Sequence, residues 1–187
     1  QHIVTVDSDE FAKTYSLASE AFSVVHTNPE DYAFMLYTSG TTGKPKGVIH
    51  AHYSSLQEHL SASLVLDLKP HDIYWCTADP GWVTGIVYAI LSNWSLGATT
   101  ITYSGRFDPE QWYELIQKHK VTVWYTAPTA IRMLMAKSDL VSNYNLSSLR
   151  YLASVGEPLN PEAVIWSEKV FGIPFRDNWW QTETGSI

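Results

Sequence analysis

With 187 residues, 45% of them hydrophobic and 17% charged, the chain has the length and composition of a globular domain with a sizeable core and falls outside the disordered class. A formal charge of −7 excludes a general nucleic-acid binder, which needs a basic face, and no apolar run reaches the length of a membrane span, because Gly85, Ser92 and Asn93 interrupt the best one. Cys76 is the only cysteine and cannot form an internal disulfide; this suits a reducing cytoplasm, and its apolar stretch, 73–76, reads as core rather than nucleophile.

The first thirty residues carry little signal. Tyr32 to Tyr37 is apolar and aromatic and reads as a buried strand feeding a loop, after which Val48-Ile49-His50 returns as a second strand. Further on, runs 73–76, 98–102, 121–125, 149–155 and 174–179 have strand length and β-branched or aromatic content. Helical segments lie between them. Residues 83–96 are apolar nearly all round and read as a buried helix. Asp108-Pro109 is a cap with proline at the first helical position, followed by Trp112, Leu115, Ile116 and His119 on one face. Pro128 opens another helix with Ile131, Leu134 and Met135 inward. Asn160-Pro161 repeats the cap-and-proline start, with Ala163, Trp166 and Val170 following and Gly172 as the stop. The polar stretch 137–148 reads as a surface connection. Strands separated by helices predict an α/β fold: a largely parallel sheet with helices on both faces. In such sheets ligands gather at the carboxyl ends of strands, which puts residues 155–158 and 179–183 at one edge.

The segment 37–47, YTSGTTGKPKG, is the strongest chemical signal. Gly40, Gly43 and Gly47 free the backbone to turn N–H groups toward one point; Thr38, Ser39, Thr41 and Thr42 add hydroxyl donors; Lys44 and Lys46 add positive charge. Nucleotide phosphates are the matching ligand. The common NTPase loop does not fit, because Pro45 stands where a metal-binding Ser or Thr should open a helix and Thr38 stands where its first glycine belongs. A strand–loop–strand hairpin carrying phosphate donors is a different device. A glycine-rich hairpin with a solvated lysine tip would account for composition alone.

This loop resembles the signature of the adenylate-forming superfamily of acyl-CoA synthetases, peptide-synthetase adenylation domains and luciferases. Two further segments resemble the same family in the same order: Val155-Gly156-Glu157-Pro158, and Asp177 through Gly185, which contains Trp179-Trp180-Gln181-Thr182-Glu183. With Trp82-Val83-Thr84-Gly85 and Ala127-Pro128-Thr129-Ala130, the likeness is greatest to the acetyl-CoA synthetase branch, and it runs from about residue 32 to the end.

The resemblance implies ATP-dependent activation of acetate to acetyl-adenylate and transfer to coenzyme A, giving acetyl-CoA, AMP and pyrophosphate. The loop, with Thr38 to Gly47, would hold the pyrophosphate and its magnesium. Glu183 would bind magnesium and Thr182 a phosphate oxygen, with Lys46 beside them as the catalytic cation. A helix N-terminus carrying an acid explains Thr182-Glu183 equally well when they are taken alone. Gly156, Glu157 and Pro158 would face one side of adenine and Trp179 the other, with Asp177, Asn178 and Gln181 nearby. A plain strand-to-helix turn explains 156–158 as well, and a polar strand end explains Asp177.

Trp180 narrows the implied substrate. The wider family normally has glycine there, and an indole fills volume that a longer acyl or aryl chain would need. Val83, Thr84 and Val155 resemble the other walls, and Thr84 and Gly85 the approach of the pantetheine arm. Trp82, Trp94, Trp112, Trp124 and Trp166 read as packing residues, and Arg106 has no assigned role. His26, His50, His52, His59, His71 and His119 show no metal-binding spacing; His50 and His52 would share a strand face without a third ligand. The resemblance also implies that residues 1–187 are an internal fragment of the AMP-binding (adenylation) domain, inactive alone, with the lysine-bearing C-terminal domain absent. Alternatives are a synthetase for propionate or a longer acid, or a non-catalytic nucleotide-binding domain.

Overall fold

The structure, a computed structural model, describes residues 5–40 and 43–187; the expected phosphate-binding residues Thr41 and Thr42 lie outside the described residues. In chain order the elements are α1 (Asp9–Leu17), β1 (Tyr32–Thr38), β2 (Lys46–Ala51), α2 (Ser54–Leu64), β3 (Ile73–Cys76), a π-helical segment (Gly85–Leu91) continuing into α3 (Ser92–Leu96), β4 (Thr99–Ile101), α4 (Pro109–His119), β5 (Val123–Thr126), α5 (Pro128–Met135), a 3₁₀ segment (Ser138–Asn143), β6 (Tyr151–Val155), α6 (Pro161–Phe171) and β7 (Phe175–Asn178). Strands β3 to β7 form one parallel sheet in the order β4-β3-β5-β6-β7, while β1 and β2 pair as a separate antiparallel hairpin.

Strands β5 and β6 are buried along their whole length and β3 nearly so, which is why they read as continuous apolar runs rather than alternation, whereas the edge strands β4 and β7 carry exposed residues. Tyr74, Cys76, Val123, Tyr125, Tyr151, Ala153 and Val155 face a cluster completed by Ala62 and Leu66 from α2 and its C-terminal edge and by Val87 and Tyr88 from the π segment. Trp75, Trp124, Leu152 and Phe175 point the other way, onto Trp112, Tyr113 and Ile116 of α4, Ile131 and Leu134 of α5 and Ala163 of α6. Trp75 and Trp124 lie parallel at 5.8 Å, and Trp112 meets Trp75 edge-on at 4.9 Å. Helices on both faces of a parallel sheet are thus present.

Local chemistry explains the helix boundaries. The Asp108 carboxylate accepts from the N–H groups of Glu110 and Gln111, with Pro109 opening the first turn of α4. Gly172, at φ 75°, ends α6 in the left-handed region where a side chain would be strained. At the amino ends of the strands the Arg150 guanidinium binds both Asp67 and the fully buried Asp72, while Thr122 Oγ1 donates to Asp72 at 2.7 Å. This ionic knot joins β3, β5 and β6 at the end away from the site.

Several expectations are corrected. Strand β1 is not buried: Tyr32 and Tyr37 are 80% and 68% exposed, because the hairpin meets the core through Phe34 and has no third strand among the described residues. Trp82 and Trp94 are also exposed, at 73% and 68%, and are not core residues; Trp82 follows a turn and Trp94 sits on the outer side of α3. His119 lies exposed at the end of α4, and the buried partner of Trp112 and Ile116 is Tyr113. His52 falls beyond β2, so it shares no strand face with His50. Helices α1 and α2 were not anticipated.

Candidate functional site

Chain order reverses direction across the sheet at β3, whose neighbours are β4 on one side and β5 on the other. The loops leaving such strands diverge and open a crevice at their carboxyl ends. A cavity of about 560 Å³ lies there. Its walls come from the segments after four strands: Cys76 to Asp79 after β3, Tyr125 to Ala127 at the end of β5, Val155 to Glu157 at the end of β6, and Trp180 to Thr182 after β7, with Trp82 to Thr84 closing one side.

Eight sequence-predicted residues therefore meet in one cavity: Val83, Thr84, Val155, Gly156, Glu157, Trp180, Gln181 and Thr182. Trp180 is buried, with its ring edge-on to Tyr88 at 5.2 Å and its Nε1 donating to the Tyr125 hydroxyl at 3.4 Å. Its neighbour Trp179 is 76% exposed and offers a free indole face. Burial holds the Tyr125 and Tyr88 phenols above their ordinary pKa, so both are neutral near pH 7.

Glu157 turns its carboxylate toward α5, where Thr129 Oγ1 and the Arg132 guanidinium bind it. The Thr129 hydrogen bond, followed by Arg132, holds this carboxyl below its usual pKa. Gly156 has φ 96°, and an added Cβ would meet nothing within 4 Å among the described residues, so backbone conformation rather than crowding calls for glycine. Pro158, Asp177, Asn178, Trp179 and Glu183 are not among the cavity walls. Asp177 accepts from Ser154 Oγ at 2.7 Å and from the Leu159 N–H at 3.3 Å, fastening β7 to β6 and to the turn after it. Asn178 keeps a buried Oδ1 without a partner among the described residues.

Thr182 and Glu183 form a hydrogen-bonded turn rather than a helix start. Thr184 shapes it: its Oγ1 accepts from the Gln181 N–H at 3.0 Å and lies 2.9 Å from the Gln181 carbonyl. Glu183 is exposed and has no hydrogen bond or ion pair with the described residues. No group of three or more His, Cys, Asp or Glu side chains among the described residues could enclose a metal. A lone free carboxylate fits magnesium, which keeps waters and binds through one or two carboxylates and substrate phosphates.

The hairpin joins this region at its root. His50 is buried, stacks on Phe34 at 4.8 Å and lies against Gly185, where an added Cβ would stand 3.1 Å from His50 Nδ1. The hairpin residues Thr38, Ser39, Gly40, Gly43, Lys44, Lys46 and Gly47 do not line the cavity. In the loop, Gly40 has φ 62° and a Cβ there would stand 2.6 Å from the Lys44 carbonyl, with the Lys46 stem just beyond. Gly85 is buried, and an added Cβ would lie 2.0 Å from the Asp79 carbonyl; close packing therefore fixes this glycine.

Sequence reading missed Asp79, Trp82, Tyr125 and Thr126 as cavity walls. The available signal was position, since residues 77–79 and 126–127 follow strands of a parallel sheet. Cys76, by contrast, is the buried core thiol expected, with its pKa pushed up to about 11 by burial.

A family model described as AMP-binding enzyme matches residues 1–187. The chain is 50% identical over 182 residues to the acetyl-coenzyme A synthetase of Bacillus subtilis (strain 168), covering 97% of this chain and 31% of that protein. It is 51% identical over 166 residues to the acetyl-coenzyme A synthetase of Methanothrix thermoacetophila, covering 84% of this chain and 25% of that one. The chain thus spans a third or less of the length of these curated relatives. Among solved structures, a Brucella canis acyl-CoA synthetase superposes with a TM-score of 0.88 at 34% identity, covering 98% of this chain and 33% of that chain. The chain belongs to the AMP-binding enzyme family.

Proposed function

We propose that this chain forms part of the active site of an AMP-forming acetate–CoA ligase. One observation carries the reading: the crevice at the sheet's reversal point is lined by a buried, anchored Trp180 together with Val83, Thr84 and Val155. An indole so held leaves room for a very short acyl group.

In the reaction, a carboxylate oxygen of acetate attacks the α-phosphorus of ATP, and pyrophosphate leaves. The coenzyme A thiolate then attacks the acyl carbon, and AMP leaves with the bonding electrons. Such transfers depend on positioning and charge stabilisation. Trp179 and the 156–158 turn would bracket adenine, with Asp177, Asn178 and Gln181 around them. The hairpin glycines, the hydroxyls and Lys44 and Lys46 would hold the phosphates, and Thr182 would donate to one phosphate oxygen. Glu183 would hold magnesium, which when bound draws off phosphate charge. Thr84 and Gly85 would border the pantetheine arm.

In this reading residues 1–187 are a fragment of the adenylation domain. The remaining groups, including a lysine-bearing C-terminal domain, come from the rest of the polypeptide, and the enzyme acts in the cytoplasm on small molecules. Among the described residues no helix is long and apolar enough to cross a membrane. Calorimetry on the full-length protein tests the reading. A non-hydrolysable acetyl-adenylate mimic should bind more tightly than AMP; equal affinity would instead support a nucleotide-binding domain without acid activation.

A further inference from the structure

Trp180 sits in the irregular stretch between β7 and the 182–184 turn, where no strand pairing holds it. A loop-borne side chain that limits a cavity needs other groups to fix its rotamer. Two tyrosines do so here. The Tyr88 ring meets the Trp180 indole edge-on at 5.2 Å with an interplanar angle of 80°, and meets Tyr125 at 5.7 Å and 89°. The Tyr125 hydroxyl accepts from Trp180 Nε1. Tyr88 is itself held at its far end: its hydroxyl lies 2.8 Å from Ser61 Oγ and accepts from the Ile187 N–H at 2.8 Å. It is fully buried and is not a cavity wall. Tyr88 therefore reaches a bound acid only through the side chains it supports.

We infer that Tyr88 and Tyr125 are positioning residues that set acid chain length by fixing the Trp180 indole. The inference rests on the proposed role of Trp180 as the end of the acyl pocket. With Tyr88 shortened, the indole loses its edge contact and can swing into the vacated space, which lengthens the pocket. With the Tyr125 hydroxyl removed, the indole N–H loses its partner and the same motion is eased.

The test uses the full-length protein and compares kcat/KM for acetate, propionate and butyrate. Tyr88→Leu should raise the butyrate-to-acetate ratio about tenfold, the range that one or two methylenes command in an apolar pocket. The KM for ATP should stay unchanged. Tyr125→Phe, which deletes one oxygen, should shift the ratio the same way by about threefold. It also carries the test if Tyr88→Leu does not fold. In a Trp180→Gly background, Tyr88→Leu should move the ratio by less than about twofold, because coupled residues are non-additive. An equal fall for all three acids, or the same ratio shift with and without Trp180, would overturn the inference. Trp180→Gly alone separates the two levels. If it leaves chain-length preference unchanged, the acyl-pocket reading fails and the tyrosine inference with it. If it widens preference while the tyrosine variants do not, only the tyrosine inference fails.

Discussion

Thr129 Oγ1 lies 2.8 Å from each carboxylate oxygen of Glu157, tying the first turn of α5 to the turn that follows β6. Two segments 28 residues apart in sequence, each resembling a family motif, are thereby one unit. Arg132 completes it from the next turn of the same helix.

If the 156–158 turn supports adenine as proposed, this clamp should act on ligand binding more than on stability. The Arg132 and Glu157 side chains are each over 40% exposed, and such pairs contribute about 0–1 kcal/mol. Thr129→Val and Glu157→Gln in the full-length protein should leave thermal stability within about 1 kcal/mol. Both should raise the KM for ATP severalfold, because the 156–158 backbone loses its brace. Steady-state kinetics beside a melting curve would check this; an unchanged KM would count against the turn as an adenine support.

The knot at the other end of the sheet should behave oppositely. Burial would push the Asp72 carboxyl up, but hydrogen bonds from Arg150, Thr122 and the Lys69 N–H outweigh it and hold the pKa below the ordinary value. A depressed carboxyl contributes stability that is fully present above the unfolded pKa of about 4 and is lost as pH falls through the lower folded value. Arg150→Ala leaves a buried carboxylate unpaired and should cost about 3 kcal/mol or more at pH 7. Asp72→Asn should also destabilise at neutral pH and flatten the loss of stability below pH of about 4. Melting temperatures measured from pH 7 to pH 3 would show both effects.

Gly85 and Gly43 offer a contrast between crowding and conformation. Alanine at position 85 would place Cβ 2.0 Å from the Asp79 carbonyl, so the turn at Asp79-Pro80 or the helix start must move, and the cavity wall with it. Gly43 has φ 80° but, among the described residues, no neighbour within 4 Å of an added Cβ, so alanine there costs the left-handed backbone, about 1–2 kcal/mol. Gly85→Ala should lower kcat/KM for every acid and reduce soluble yield, whereas Gly43→Ala should fold and change only the handling of ATP. Expression yield and acid-dependent kinetics distinguish them.

What the sequence disclosed follows from which signals are local. Asp108-Pro109, Pro128, Asn160-Pro161 and Gly172 mark helix ends by backbone chemistry, and each stands at a real boundary. Strands covered on both faces appear as apolar runs, so β3, β5 and β6 were legible from burial, while the edge strands β4 and β7 showed through strand length and β-branched or aromatic content. Helix α2 was not, because its buried face carries Glu58, Ser61 and Ala62 and shows no apolar period. The exposure of Trp82 and Trp94 was hidden for a related reason: an indole's identity does not reveal whether another element covers it. In the site, the segments 155–157 and 180–182 were legible as chemistry, and topology brought them together. The tyrosines behind Trp180 were not, since only the folded chain sets Tyr88 beside a residue 92 positions later.

The most direct measurement is acid-dependent exchange of labelled pyrophosphate into ATP by the full-length protein, run in parallel with acetate, propionate and butyrate. A crevice ended by Trp180 predicts robust exchange with acetate, weaker exchange with propionate and little with butyrate. Exchange with none of the three, or butyrate matching acetate, would contradict the account.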